Sequence, residues 1–165
     1  MHLKLNDEDL NYLLNLSKEI LEQYNIKLVD TCKGDISITS CNYEYFFTLS
    51  YFLKPGKATI NFRECRYNYS LLRLNLNDGF HKNSNNEKIR GNRINIFSEN
   101  EFIQKADGVT HMKAYPLPYN IFDDSSDFVK QLFTLLEYTK TNHNDNIKIE
   151  TNLFMSWWYY AWQHN

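Results

Sequence analysis

Residues 43–53 read YEYFFTLSYFL, and this stretch decides the fold class. Its odd-numbered positions, from Tyr43 to Leu53, all carry tyrosine, phenylalanine or leucine, so these side chains would share one face of a strand. A period of two over this length is typical of a β-strand with one buried face. The next residues, Lys54-Pro55-Gly56-Lys57, place Pro and Gly at the central positions of a type II turn. We therefore expect a tight hairpin here.

The neighbouring segments repeat this alternation. Apolar residues alternate in ATINF (58–62) and in YSLLRLNL (69–76), where Arg73 lies on the face opposite Leu72 and Leu74. On the other side, IKLVDTC (26–32) and DISITSC (35–41), with Lys33-Gly34-Asp35 between them, predict a further hairpin. Successive strands joined by short turns predict an antiparallel meander.

Two helices flank these strands in the sequence. The first is predicted over residues 7–24, with Asn6 as its N-cap and an apolar stripe from Leu10 to Tyr24. The second begins near Ser125, capped there, at its neighbour Ser126 or at Asp124, and buries a stripe from residue 128 to residue 136. The predicted fold is α+β, an antiparallel β-sheet meander flanked by an N-terminal and a C-terminal helix.

The chain is predicted to form a single α+β domain over residues 1–165. Residues 77–108 are dominated by Asn, Ser, Gly and charge, which predicts an irregular loop region. GVTHMKAYPLP (108–118) follows as a strand that ends at its prolines. Residues 147–165 form an aromatic C-terminal segment, in which IKIETNL (147–153) alternates again.

Composition limits the possible functions. The formal net charge is -2, whereas a protein that neutralises nucleic-acid phosphates usually carries a basic excess, so there is no strong signature of direct nucleic-acid binding. The three cysteines show no metal-ligand spacing, and no apolar run is long enough to span a bilayer. We expect a cytoplasmic protein with no membrane partner, no metal and no cofactor.

The strongest candidates for chemistry are histidines. Alternation along residues 108–118 places His111, Lys113 and Tyr115 on one face, and His81 can approach them if its strand lies alongside. Two imidazoles can take and give the protons of RNA cleavage while Lys113 or Arg73 steadies the phosphate. The structural alternative is that His81 only caps a turn and that His111 is only a half-buried strand residue.

The residues from Trp157 to Trp162 include five aromatic side chains: Trp157, Trp158, Tyr159, Tyr160 and Trp162. They cannot all point inward in a strand or a helix, so some should be accessible, and Trp and Tyr dominate interface hot spots. A loose basic cluster supplies further interaction candidates, namely Lys82, Lys88, Arg90 and Arg93.

The segments LLRLNLNDGFHKN (71–83) and GVTHMKAYPLP, with DEDLNYLL (7–14), resemble a group of small uncharacterised proteins from phages and mobile elements of AT-rich Gram-positive bacteria. The resemblance runs over residues 5–140. In that group a Gly-His-Lys-Asn run follows a leucine-rich strand, whereas here Phe80 separates Gly79 from His81. Such proteins often act against host defences, so the resemblance implies a partner in the cytoplasm of a bacterial host.

Three functional hypotheses follow. The leading one is a phage or mobile-element protein, not an enzyme, that binds and inhibits a host protein or ribonucleoprotein defence complex, in particular a CRISPR-Cas effector. The second is a metal-independent ribonuclease or toxin that uses His81 and His111. The third is a self-assembling structural protein, a possible homo-oligomer held by the terminal aromatics.

Overall fold

The computed structural model describes residues 2–151 of the chain, and over this range the fold is α+β and built mostly of strands, which confirms the predicted class. The helices of this range are α1 (Asp7–Asn15), α2 (Glu99–Lys105) and α3 (Phe128–Tyr138). Its strands, in chain order, are β1 (Lys18–Glu19), β2 (Tyr24–Lys27), β3 (Cys32–Ser40), β4 (Phe46–Lys54), β5 (Lys57–Glu64), β6 (Ser70–Leu76), β7 (Phe80–Lys82), β8 (Lys88–Arg90), β9 (Arg93–Phe97), β10 (Met112–Pro116), β11 (Thr141–Asn142) and β12 (Ile147–Glu150).

Within the described residues, eight strands form one sheet in the order β10-β9-β6-β5-β4-β3-β1-β11. Neighbouring strands run antiparallel except at one edge, where β1 and β11 are parallel. The sheet is therefore largely antiparallel but mixed. Beside it, β2 pairs with β12 in parallel, and β7 pairs with β8 as an antiparallel hairpin.

The large sheet has an apolar face and a polar face. Phe47 and Leu49 of β4 are buried on the apolar face, where Phe128 at the start of α3 contacts the ring of Tyr51. The opposite face carries polar residues that are direct neighbours in successive strands: Asp35, Ser50, Asn61, Arg73 and Asn95. Direct cross-strand neighbours point to the same face of a sheet, so these residues form a polar row.

Helix α1 is shorter than predicted. Asn6 caps its start as expected, with its side chain accepting from the backbone of the third helical residue. The helix ends at Asn15 rather than at residue 24. Leu21 is 55% exposed and Tyr24 lies in β2. The apolar residues after residue 15 are therefore spaced as in a helix but do not belong to one.

A buried lysine explains where α1 stops. The Lys18 ammonium donates hydrogen bonds to carbonyl oxygens at the ends of two helices, those of Leu14, Leu16 and Thr139, at 3.1, 2.9 and 2.7 Å. Helices leave their last carbonyls without intrahelical donors, so one side chain satisfies the ends of α1 and α3 together. Burial and the nearby charge of Lys140 lower the pKa of Lys18 to about 7.

The predicted hairpin around Lys33-Gly34-Asp35 is wrong. These residues lie inside β3, where Gly34 is the direct neighbour of Tyr51 on β4. A Cβ atom at Gly34 would lie 2.5 Å from the Tyr51 hydroxyl oxygen. The glycine therefore allows a close approach of side chain to backbone within a strand, and β2 pairs with β12 instead of β3.

Strand β4 and its turn largely follow the prediction. The strand begins at Phe46, so Tyr43, which has a φ of 58°, precedes it rather than sharing its face. The buried alternation from Phe47 to Leu53 is confirmed. Lys54 and Lys57 are direct neighbours across the turn and Gly56 has a φ of 74°, as the central glycine of a type II turn requires.

Residues 77–108 are not the irregular loop that their composition predicts. They contain β7, β8, β9 and α2. Strands β7 and β8 have three residues each, which is too short to show a period in the sequence. Helix α3 begins at Phe128 after an Asp127 cap, not after Asp124, Ser125 or Ser126. Its buried stripe is confirmed by Phe128, Leu132, Leu135 and Leu136.

Asn83 fixes the β7–β8 hairpin to the edge of the large sheet. Its carboxamide donates to the Ala114 carbonyl and accepts from the Ala114 N–H, both at 2.9 Å, and the side chain is buried. Ser84 donates to the buried Glu101 carboxylate of α2, and the Lys105 ammonium donates to the Lys82 carbonyl at 2.8 Å. The hairpin is therefore anchored to β10 and to α2.

We expect Asn83→Leu to release the hairpin from β10. Removing the carboxamide leaves two buried backbone groups of Ala114 unpaired, and each unpaired group costs about 1–3 kcal/mol. Hydrogen–deuterium exchange should then show the Ala114 amide exchanging about tenfold faster or more. The matched control is Asn11→Leu at an exposed position of α1. Unchanged protection of Ala114 in Asn83→Leu would show that the carboxamide does not hold the edge.

Candidate active site

The hairpin covers part of the polar face and encloses an open cleft of about 200 Å³. Residues from the sheet, the hairpin and the segment before β10 line it: Ser70, Arg73, His81, Asn95, Val109, Thr110, His111 and Met112. The cleft thus brings together His81, His111 and Arg73, which lie far apart in the sequence.

The strand register explains why these side chains meet. Arg73 and Asn95 are direct neighbours on β6 and β9 in the polar row. His81 is the middle residue of β7 and pairs with Ile89, which is buried. The face of the hairpin that carries His81 is therefore turned towards the sheet.

His111 is held by a carbonyl and two aromatic rings. It precedes β10, which begins at Met112, so it lies just outside the predicted strand alternation. Its ring contacts those of Tyr69 and Phe97, with centroids 5.4 and 5.7 Å apart. Its Nδ1 lies 3.1 Å from the Val109 carbonyl oxygen. An Nδ1–H donated to this carbonyl leaves Nε2 for a ligand.

Lys113 and Tyr115 do not join the cleft, contrary to the sequence prediction. Ala114 is the direct neighbour of Asn95 and so lies on the polar face. The residues on either side of it therefore point to the apolar face. There the Lys113 ammonium lies 5.6 Å from the centre of the Tyr115 ring, which itself packs against Tyr119.

The cleft contains buried polar atoms that no described residue satisfies. Among residues 2–151, no hydrogen-bond partner exists for Nε2 of His81, Nε2 of His111, Nε of Arg73 or Oδ1 of Asn95. Most buried polar atoms in folded proteins are paired. These atoms are therefore suited to bind a polar ligand, with an acceptor or donor at each imidazole and a donor at the guanidinium.

Electrostatics favours a neutral His81. Burial lowers the pKa of His81, and the positive charges of Lys105, Arg93 and Arg73 lower it further, while Glu101 opposes them. The neutral imidazole is thus the prevailing form at neutral pH, and its Nε2 can accept a proton. Burial also lowers the pKa of Arg73, which stays charged because its ordinary pKa is so high.

Other candidate residues are distributed as follows. Lys82, Lys88 and Arg90 are exposed on the hairpin, whereas Arg93 is buried and donates to Asn77 and to the Gly91 carbonyl. The terminal aromatics Trp157, Trp158, Tyr159, Tyr160 and Trp162 lie outside the described residues. Asn95 was not among the predicted site residues, although a polar residue between Ile94 and Ile96 is a period-two signal.

No three His, Cys, Asp or Glu side chains within residues 2–151 are grouped so that they could hold a metal ion. In the same range, no helix has the length and apolar character needed to cross a bilayer. Two imidazoles and a guanidinium line the cleft. Imidazoles are suited to acid–base chemistry, and a guanidinium is suited to bind an anion.

A family model described as a family of unknown function, DUF6978, matches residues 5–141. No curated protein and no solved structure matches the chain. The match confirms the resemblance to an uncharacterised family over nearly the range expected from the sequence. Because it spans most of the 165 residues, the chain belongs to the DUF6978 family.

Proposed function

We propose that this protein is a metal-independent ribonuclease whose active site is the cleft between the hairpin and the polar face. The observation that carries the proposal is the meeting of His81, His111 and Arg73 in one cleft, with buried nitrogen atoms left unpaired among the described residues. Two imidazoles and a guanidinium are the groups needed to move two protons around a phosphodiester and to stabilise its added negative charge.

The reaction needs one base and one acid. The neutral His81 Nε2 takes the proton of a ribose 2′-hydroxyl, and the oxygen attacks the adjacent phosphorus. The bond from phosphorus to the 5′-oxygen breaks, and protonated His111 gives its Nε2 proton to that leaving oxygen. The products are a 2′,3′-cyclic phosphate and a free 5′-hydroxyl. His111 suits the acid role because its Nδ1–H faces the Val109 carbonyl, a geometry that a doubly protonated ring can keep.

The remaining polar groups of the cleft bind the substrate. The Arg73 guanidinium donates to the non-bridging phosphate oxygens, on which negative charge increases in the transition state. Oδ1 of Asn95, the direct neighbour of Arg73, accepts a hydrogen bond from a ribose hydroxyl. Each group is held on a strand of the large sheet, and this rigidity favours a fixed geometry.

We expect His81→Gln and His111→Gln each to reduce cleavage of a mixed-sequence single-stranded RNA by about 10²–10⁴-fold. Cleavage is measured in EDTA, and the cyclic phosphate product is identified by mass spectrometry. His2→Gln at an exposed position provides the matched control, and circular dichroism establishes that each variant is folded. A fully 2′-deoxy strand should be resistant. Wild-type protein without activity, or His81→Gln with full activity, would exclude this mechanism.

The pH dependence provides a separate prediction. His81 must be neutral to act as the base, and its pKa lies below the ordinary 6.5, so the acidic limb of the kcat/KM profile should lie below that value. Lys105→Gln removes one of the charges that lower this pKa, so the acidic limb should move to higher pH. A limb that moves to lower pH, or does not move, contradicts the assignment of His81 as the base.

The inhibition of a host defence complex is the second candidate function, and it is supported at a different surface. An apolar hollow of about 190 Å³ lies between α1, the start of β4 and the end of β5, lined in part by Leu13, Tyr45, Phe46 and Arg66. Phe46 is 55% exposed, and the Arg66 guanidinium lies 4.8 Å from the centre of the Tyr45 ring. Exposed aromatic residues beside an arginine are typical of interface hot spots.

In this second candidate function, this chain is encoded by a phage or mobile element. It binds a CRISPR-Cas effector in the bacterial cytoplasm and inhibits it. We expect the wild-type chain to inhibit DNA cleavage by a purified effector, and Phe46→Ala or Arg66→Ala to raise the half-inhibitory concentration by about tenfold or more. Leu21→Ala, at another exposed apolar position, is the control. If Phe46→Ala instead dissociates an oligomer in sedimentation, self-assembly is the correct interpretation. No inhibition by wild-type protein excludes the effectors tested.

A further inference from the structure

We infer that the outer face of the β7–β8 hairpin is a docking surface for single-stranded RNA; this inference rests on the proposed ribonuclease function for its substrate. In the hairpin register, Phe80 pairs with Arg90 and Lys82 pairs with Lys88. The intervening pair, which contains His81, faces the sheet. Because successive pairs alternate between the two faces of a β-ribbon, these four residues share the outer face.

The outer face combines an accessible ring with positive charge. Phe80 is 49% exposed, and both the Lys88 ammonium and the Arg90 guanidinium lie 5.0 Å from the centre of its ring. Within residues 2–151, neither of these two cations has a carboxylate partner within ion-pairing distance. Phe80 thus lies beside two unpaired cations, with Lys82 on the same face. It lacks the apolar packing expected of a core residue.

These groups match the chemistry of an unpaired nucleotide. Bases without a pairing partner stack on aromatic side chains, and lysine and arginine neutralise the phosphates between them. In a duplex the base faces are already stacked, so an exposed phenylalanine favours a single strand. The 2′-hydroxyl that the cleft requires then specifies RNA.

The docking surface and the cleft belong to the same strand. His81 points into the cleft, while its neighbours Phe80 and Lys82 point outward. The two surfaces are therefore the opposite sides of one two-stranded ribbon. An RNA strand that stacks on Phe80 is thus held close to the imidazoles.

The test measures binding apart from cleavage. The probe is a short, fluorescently labelled, fully 2′-O-methyl single strand, which lacks the attacking hydroxyl, and its affinity for the full chain is measured by anisotropy across a range of salt concentrations. Phe80→Ala should weaken binding about tenfold with an unchanged salt slope, and Phe80→Tyr should restore it. Lys88→Gln with Arg90→Gln should weaken binding and reduce the slope by about 0.7 for each phosphate that the protein no longer neutralises.

The controls separate this inference from the proposed function. Lys54→Gln with Lys57→Gln removes two exposed charges at another turn and should leave the affinity unchanged. His81→Gln tests cleavage of ordinary RNA, whereas Phe80→Ala tests binding of the probe. If the wild-type protein binds the probe but does not cleave RNA, the docking surface is supported and only the ribonuclease function is overturned. Three results overturn the docking surface: no binding of the probe, equal binding of duplex RNA, or wild-type affinity in Phe80→Ala. If the wild-type protein does not bind the probe, the hairpin is reassigned to a protein partner.

Discussion

The double hydrogen bond between the Asn83 carboxamide and the backbone of Ala114 is the contact on which the candidate active site depends. Strand β10 is an edge strand, and an edge exposes a row of unpaired backbone groups. Asn83 satisfies one N–H and one C=O of that row with a single side chain. In doing so it fixes the hairpin over the polar face, and His81 can then reach Arg73 and His111. With the bonds from Ser84 to Glu101 and from Lys105 to Lys82, this contact places His81 over the sheet, where it lines one cleft with Arg73 and His111.

The two ends of the polar row differ in how their side chains are hydrogen-bonded. At the far end, the Ser50 hydroxyl donates to the Asp35 carboxylate at 2.6 Å, so the two side chains satisfy each other. Towards the hairpin, Asn61, Arg73 and Asn95 are buried or partly buried, and each keeps an atom without a partner among residues 2–151. Leaving such an atom unpaired costs about 1–3 kcal/mol. Within the row, this cost is confined to the region towards the hairpin, which is the pattern expected where a ligand completes the hydrogen bonding.

The predictable parts of the molecule are those in which one local pattern determines the structure, and the unpredictable parts depend on contact between distant segments. The alternation from Phe47 to Leu53 was evident in the sequence because burial of one face leaves a direct signal. Gly34 misled the prediction because a glycine in a turn and a glycine beneath a tyrosine ring look alike until the partner strand is known. In the candidate site, residue types identified His81 and His111, but His111 precedes β10 and so escapes the alternation that sends Lys113 to the apolar face. A shift of one residue at a strand end reverses the direction of a side chain, and sequence periodicity does not locate strand ends that closely.

The charge of the whole chain hid the most important electrostatic property of the cleft. A net charge of -2 argues against nucleic-acid binding only if the charges are spread evenly. In the structure, Lys105, Arg93 and Arg73 all act on His81, and together they outweigh Glu101. Burial and these cations together lower the pKa of His81 and favour the neutral imidazole, and in the proposed mechanism the same cations attract the phosphate. In the proposed mechanism, a bound phosphodiester offsets part of that positive charge and raises the proton affinity of His81, so the base becomes stronger when the hydroxyl that it must deprotonate is in place.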